Sequence, residues 1–403
     1  MEEMDVTPIE DIPYIDECTV ETTILAVKKS VPMQEIYNDN RNVFCTPTGS
    51  SSFKAFRDDF VMFRKLYPGY AEGEDPFEKL SDEIILHIFK WLPKMVLVKC
   101  SRVCKRWRNL SYDETLWRRY DFGKKLVKPG VLGTLLSRGT SVLRLTMSEI
   151  KSPVFLVDPD VLATNMSFCK LQYLDLSMVT VSEENLACLL LVCNKLKKLS
   201  LENCTLNEAC CRNIAQNTEL IVLNMAMCQG LTSRGLVKIC ESCSKLKEWN
   251  LAWTDLRFAD MEVFLPCLPH SLRRFNISGH RNALAYEGVA DITKRCPNLI
   301  ELDISDSPML SEAALNIIVK NCLKLEHLHT SRSYNIPTMS YRILKELKNF
   351  KKLEIFRTLM EDALADLRSF LPDVKINQCI FSTVARPTTG IRRTSIWGLR
   401  VRD

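Results

Sequence analysis

The chain has 403 residues, of which 46% are hydrophobic and 26% charged, with a formal net charge of +5. That balance fits a soluble globular chain of two or three domains. It carries no cationic surplus that calls for nucleic acid, and no apolar run of about 18 residues that calls for a membrane span.

The opening, Met1-Glu2-Glu3-Met4-Asp5, is acidic and lacks an apolar core, so no secretory leader is predicted and the expected location is nucleus and cytoplasm. The 17 cysteines are spread through apolar segments, so they read as reduced, buried thiols. Residues 1–75 have no sustained period and are expected to form a largely disordered arm. Within the arm, Phe53 to Tyr67 is aromatic and basic, and Thr46-Pro47 fits a proline-directed phosphosite or an inert linker.

Residues 76–120 predict a cluster of short helices. Ser81-Asp82-Glu83 supplies a cap and negative charge at a helix start. Ile84, Ile85, Ile88, Phe89 and Leu92 then make one broad apolar face, and Pro93 is expected to end the helix. Met95, Val96, Val98, Val103 and Trp107 follow, and Leu116-Trp117 closes the segment. So short a stretch cannot bury all of this surface, so part of it should face a partner. The basic run Lys105-Arg106-Trp107-Arg108 is read as a solvated face rather than a nucleic-acid contact.

After a linker at 121–141 the chain repeats itself over 142–380. The unit is an apolar residue, two others, an apolar residue, one other, an apolar residue. It runs through Leu171/Leu174/Leu176, Leu196/Leu199/Leu201, Leu220/Leu223/Met225, Leu246/Trp249/Leu251, Leu272/Phe275/Ile277, Leu299/Leu302/Ile304 and Leu325/Leu328/Thr330 to Leu353/Phe356. Successive first positions from 171 to 353 lie 25, 24, 26, 26, 27, 26 and 28 residues apart, within the leucine-rich-repeat range. Weaker copies at Val142/Leu145/Met147 and Val374/Ile376 flank these. The predicted fold is α/β: a short all-helical module, then a horseshoe solenoid with about ten parallel strands on its concave face. Cys204 and Cys228 take the small buried position after the strand.

Strand alternation places Asn224, Asn250, Asn276, Asp303, His329 and Arg357 toward the concavity. Just past the strand ends come Trp253, Arg281, Asp306 and Arg332, a polar-aromatic rim of the kind that anchors interfaces; the alternative is a scattered solvated wall. Cys240 and Cys243 lack a second ligand pair and read as core, while His327 and His329 read as surface histidines rather than a metal site, so no metal or cofactor is expected. There is no P-loop, nucleophile elbow, kinase set or H-E-x-x-H, so the chain is expected not to be an enzyme. The tail 381–403 carries Arg386, Trp397 and further arginines and is expected to dock in the concavity.

Several strings carry a resemblance: Leu80-Ser81-Asp82-Glu83, Val103-Cys104-Lys105-Arg106-Trp107, Leu116-Trp117, Cys296-Pro297-Asn298-Leu299, Leu302-Asp303-Ile304-Ser305-Asp306-Ser307, Ala385-Arg386-Pro387-Thr388 and Ile396-Trp397-Gly398. Over about 76–403 the chain resembles the F-box/leucine-rich-repeat substrate receptors of SCF-type ubiquitin ligases, of the S-phase-kinase-associated type. The resemblance implies that 76–120 is an F-box whose Leu80, Ile84, Ile88, Leu92, Val103, Trp107, Leu116 and Trp117 bind the S-phase-kinase-associated adaptor, which leads to a cullin scaffold and a RING subunit. It implies that Trp253, Arg281, Asp306 and Arg332, with the tail, bind a Cks-type accessory protein and a phosphorylated cyclin-dependent-kinase inhibitor. Different targets, or a repeat scaffold outside any ligase, are the alternatives. Ser81 stands where the family has proline, and Phe77 where it has tryptophan.

Overall fold

The computed structural model describes residues 76–164, 169–388 and 395–401. The expectations for the arm 1–75 and for Arg392, Arg393 and Arg402 fall outside these residues. The chain divides between Tyr112 and Asp113 into two compact units.

In the first unit, three helices follow one another: α1 (Asp82–Phe89), α2 (Lys94–Cys100) and α3 (Lys105–Ser111). Ser81 takes the extended cap conformation before α1 and the first turn is acidic, as the helix dipole favours. Its hydroxyl bonds the Glu83 carboxylate rather than a backbone N–H, and this holds the Glu83 carboxyl below its ordinary range. α1 stops at Phe89, short of Pro93, whose fixed φ instead opens α2. Ile85 and Phe89, four residues apart, share one face with Leu97, Cys100 and Leu110 in a small core. Phe77 and Phe89 meet the Trp107 ring edge-on at 4.8 and 5.3 Å. Arg106 is half-exposed but partnered: it donates to the Asp82 carboxylate at 2.8 Å and to the Phe77 carbonyl at 2.8 Å, pinning the chain that leads into α1.

The second unit is a solenoid. Its sheet has eleven strands, all parallel and in chain order. They are β1 (Arg119–Asp121), β2 (Val142–Arg144), β3 (Tyr173–Asp175), β4 (Lys198–Ser200), β5 (Val222–Asn224), β6 (Glu248–Asn250), β7 (Arg274–Asn276), β8 (Glu301–Asp303), β9 (His327–His329), β10 (Lys352–Glu354) and β11 (Lys375–Ile376). Helices such as Glu183–Val192, Ser233–Ser242 and Glu312–Asn321 connect them and bury one apolar face each. The strand leucines, from Leu174 through Leu302 to Leu353, are fully buried, as are Trp249 and Phe275 in the same column. Cys204, Cys228, Cys240 and Cys243 are buried core thiols, and burial pushes the Cys204 thiol up to about 12.

One strand more is present than the leucine period predicts. Trp117, Tyr120 and Phe122 repeat the three-point spacing in aromatic form, all three buried, and build β1 ahead of the first leucine copy. Leu116 and Trp117 are therefore buried interior supports of the solenoid.

The tail docks on the concave face, as the sequence predicts. Val384 and Ala385 pack on Val222, and Ile396 and Val401 pack on Val142. Asn250 Nδ2 donates to the Val384 carbonyl at 3.1 Å, and the Trp397 indole donates to the Ala385 carbonyl at 3.2 Å. Arg386 lies 3.7 Å from Glu202.

Candidate functional site: a left-handed rim and an exposed helical face

The rim arises from the turn that ends each strand. Asp175, Asn224, Asn250, Asn276 and Asp303 each sit between the two inward aliphatics of their repeat. Each accepts, through its side-chain oxygen, the N–H of the residue two places on, at 3.0 to 3.2 Å. Such turns reverse the chain sharply. The next residue then has positive φ: Met178, Met227, Trp253, Gly279 and Asp306 respectively, and likewise Met147, Asn203, Arg332 and Arg357 in other repeats. The N–H of each bonds across to the next repeat: Trp253 to Ser278 at 2.9 Å, Gly279 to Ser305 at 2.9 Å, Asp306 to Ser331 at 2.8 Å. The turns thus form a hydrogen-bonded row, with side chains about one strand spacing, ~4.8 Å, apart.

This row brings Trp253, Arg281, Asp306 and Arg332 together. The Asp306 carboxylate is buried and receives Arg281 Nη2 at 3.1 Å and Arg332 Nε at 2.9 Å, with Arg332 Nη2 closer still. Asp306 also holds the Arg332 guanidinium above its ordinary range, against a smaller opposing effect of burial. Both guanidiniums lie over the Trp253 ring, at 6.0 and 5.9 Å from its centroid. Gly279 makes this possible: a Cβ there would stand 2.5 Å from the indole. Two cations balanced by one carboxylate leave a net positive charge with more N–H donors than Asp306 can accept, a surface suited to a carboxylate or phosphate.

Arg357 belongs to this rim row rather than to the wall, because its repeat places Glu354 at the wall position. The wall residues Asn224, Asn250, Asn276, Asp303 and His329 do point inward, but all are buried, the first two among the tail and neighbouring side chains. His329 is thus no surface histidine. Burial opposes its charge, but the hydrogen bond to Glu301 and the carboxylates of Asp303, Glu301 and Glu354 outweigh burial and raise its pKa. Burial works to raise Glu301, yet the His327 and His329 imidazoles, 3.7 and 3.3 Å from its carboxylate, pull it down to about 2. Among the described residues, no group of three or more His, Cys, Asp or Glu is arranged to hold a metal.

On the first unit, Ile84, Ile88 and Val103 are exposed, while Leu80, Leu92 and Trp107 are half-buried. Trp91, which sequence reasoning passed over, is the most open of the large apolar residues here at 80%, with Met95 and Val96 also exposed. It lies three residues past Ile88, in the turn after α1, and so extends the face of Ile84 and Ile88. These residues form an apolar surface that the small core of the unit leaves uncovered.

Residues 78–123 match the F-box-like family, and residues 130–403 match the family described as the SKP2 LRR domain. The chain belongs to that family. It is an F-box/leucine-rich-repeat protein. An F-box/FBD/LRR-repeat protein of Arabidopsis thaliana is 28% identical over 272 residues, 62% of each chain. Human F-box/LRR-repeat protein 12 is 40% identical over 60 residues, 15% of this chain and 18% of that protein. The chain therefore spans less than two thirds of these relatives. A chain of the yeast Rad7–Elc1 complex superposes with a TM-score of 0.40 at 12% identity, covering 76% of this chain and 92% of that one.

Proposed function

We propose that this chain is the non-catalytic substrate receptor of an SCF-type ubiquitin ligase. The F-box binds the adaptor and, through it, the cullin and RING subunits. The rim captures a phosphorylated cyclin-dependent-kinase inhibitor together with a Cks-type accessory protein, in the nucleus and cytoplasm, and so promotes G1/S progression. The receptor accelerates ubiquitin transfer by proximity and supplies no reacting group.

The observation that carries this reading is the convergence of Trp253, Arg281 and Arg332 around the buried Asp306. Asp306 fixes both guanidiniums before any ligand arrives, so little side-chain entropy is lost on binding an acidic group. The Trp253 face adds an apolar anchor at 46% exposure.

Affinity purification of the full chain tests the reading: adaptor, cullin and Cks-type protein should co-purify. In a pulldown with phosphorylated inhibitor and Cks-type protein, Arg332→Glu should lower capture by about tenfold or more, because it places a like charge against the acidic ligand. Undiminished capture by Arg332→Glu removes the target assignment.

A further inference from the structure

The rim row continues past the charged cluster toward the first repeats. Beyond Trp253 it presents Met227, Asn203, Met178 and Met147, all with φ between 57° and 60°. That region of backbone favours glycine and asparagine, and the row uses both, at Gly279 and Asn203. The core does not enclose these methionines: Met147, Met178 and Met227 are 49%, 40% and 44% exposed. Three long apolar side chains thus occupy positions where the backbone prefers other residues, with nearly half of each left in solvent, so folding alone does not account for them.

The strip is also uncovered. The adjacent wall is closed over, with Asn224 and Asn250 fully buried, whereas the methionine row stays open. It is continuous with the cluster, because the Met227 N–H donates to Ala252, directly before Trp253, at 2.7 Å. From Met147 to Trp253 the row makes four strand steps, about 19 Å. An extended peptide of about six residues covers that length. Methionine is flexible and polarisable, and such side chains accommodate varied apolar partners.

We propose that Met147, Met178 and Met227 form a docking ledge for the apolar segment of the captured protein that flanks the acidic group held by Arg281 and Arg332. The proposal rests on the functional reading above and adds a specificity to it: the preferred target has aliphatic or aromatic residues on one side of its acidic determinant, and that side runs toward the first repeats.

The test uses the full chain in complex with its adaptor, with Cks-type protein present. The probes are fluorescein-labelled synthetic peptides, each with one phosphothreonine and a nearby glutamate. Each carries a four-residue flank of either Leu and Phe or Ser and Gly, placed before or after the acidic centre. Fluorescence anisotropy should show the apolar flank tightening binding about fivefold or more, on one side only. The double variant M178N/M227N should lose that gain and keep the affinity for the Ser/Gly peptides. Its thermal midpoint should be unchanged or higher, because asparagine suits the left-handed backbone. A flank gain that survives in M178N/M227N, or no gain on either side, overturns the ledge. Ser/Gly-peptide binding that Arg332→Glu does not weaken overturns the reading of the charged cluster instead, and binding by none of the peptides overturns both.

Discussion

The two units dispose of their apolar residues in opposite ways. In the solenoid the strand aliphatics are buried without remainder, each repeat closing over the next. In residues 76–112 Ile84, Ile88, Trp91 and Val103 stay outside while Ile85, Phe89 and Leu97 fill a small interior. A short helical segment has too little volume to hide its hydrophobic residues, and those left over become recognition surface. The solenoid builds its recognition surface differently, from turn residues that the core has no use for.

The largest effect that bears on this contrast lies in the solenoid core. Leu302→Ala removes a fully buried side chain and should cost about 2–5 kcal/mol of stability in denaturant unfolding. A loss under about 1 kcal/mol would mean that the repeats are not packed as described. Ile88→Glu sharpens the other side of the contrast. It should change stability by only about 0.5 kcal/mol, since the side chain is exposed, yet lower adaptor binding about tenfold or more in a pulldown. If Ile88→Glu unfolds the unit, the residue is core rather than contact.

The smallest effect concerns the buried wall. The raised pKa of His329 means that its contribution is present below the unfolded value, about 6.5, and is lost as pH rises through the folded value. Glu301, held at about 2, contributes above its unfolded value and loses that contribution only as acid approaches about 2. Asp303 and Glu354, both raised by burial, also face His329. The thermal midpoint should therefore fall as pH rises above about 6.5, and His329→Gln should flatten that slope. An unchanged slope in the variant would assign it to other groups.

Most of the solenoid was legible because stacking burial requires an aliphatic residue at a fixed interval, and Leu174, Leu223 and Leu302 satisfy this literally. The opening strand escaped because Trp117, Tyr120 and Phe122 meet the same requirement with rings. The convergence of Trp253, Asp306 and Arg332 could be anticipated from their common distance past the strand. Gly279 shows what could not: it holds the row position in its repeat, so Arg281 reaches the cluster from two residues further on. The burial of the wall was also hidden, since it depends on non-local cover such as the tail, whose Val384 carbonyl meets Asn250 from 134 residues away.

That return of the tail changes how the array comes apart. A simple solenoid frays inward from either end, because each repeat feels only its neighbours. Here Ile396 and Val401 sit on Val142, and the Arg119 guanidinium reaches the Arg400 carbonyl at 3.4 Å. The last residues of the array strap down its first strands, so loosening one terminus releases the other, and melting is driven toward a single all-or-none event.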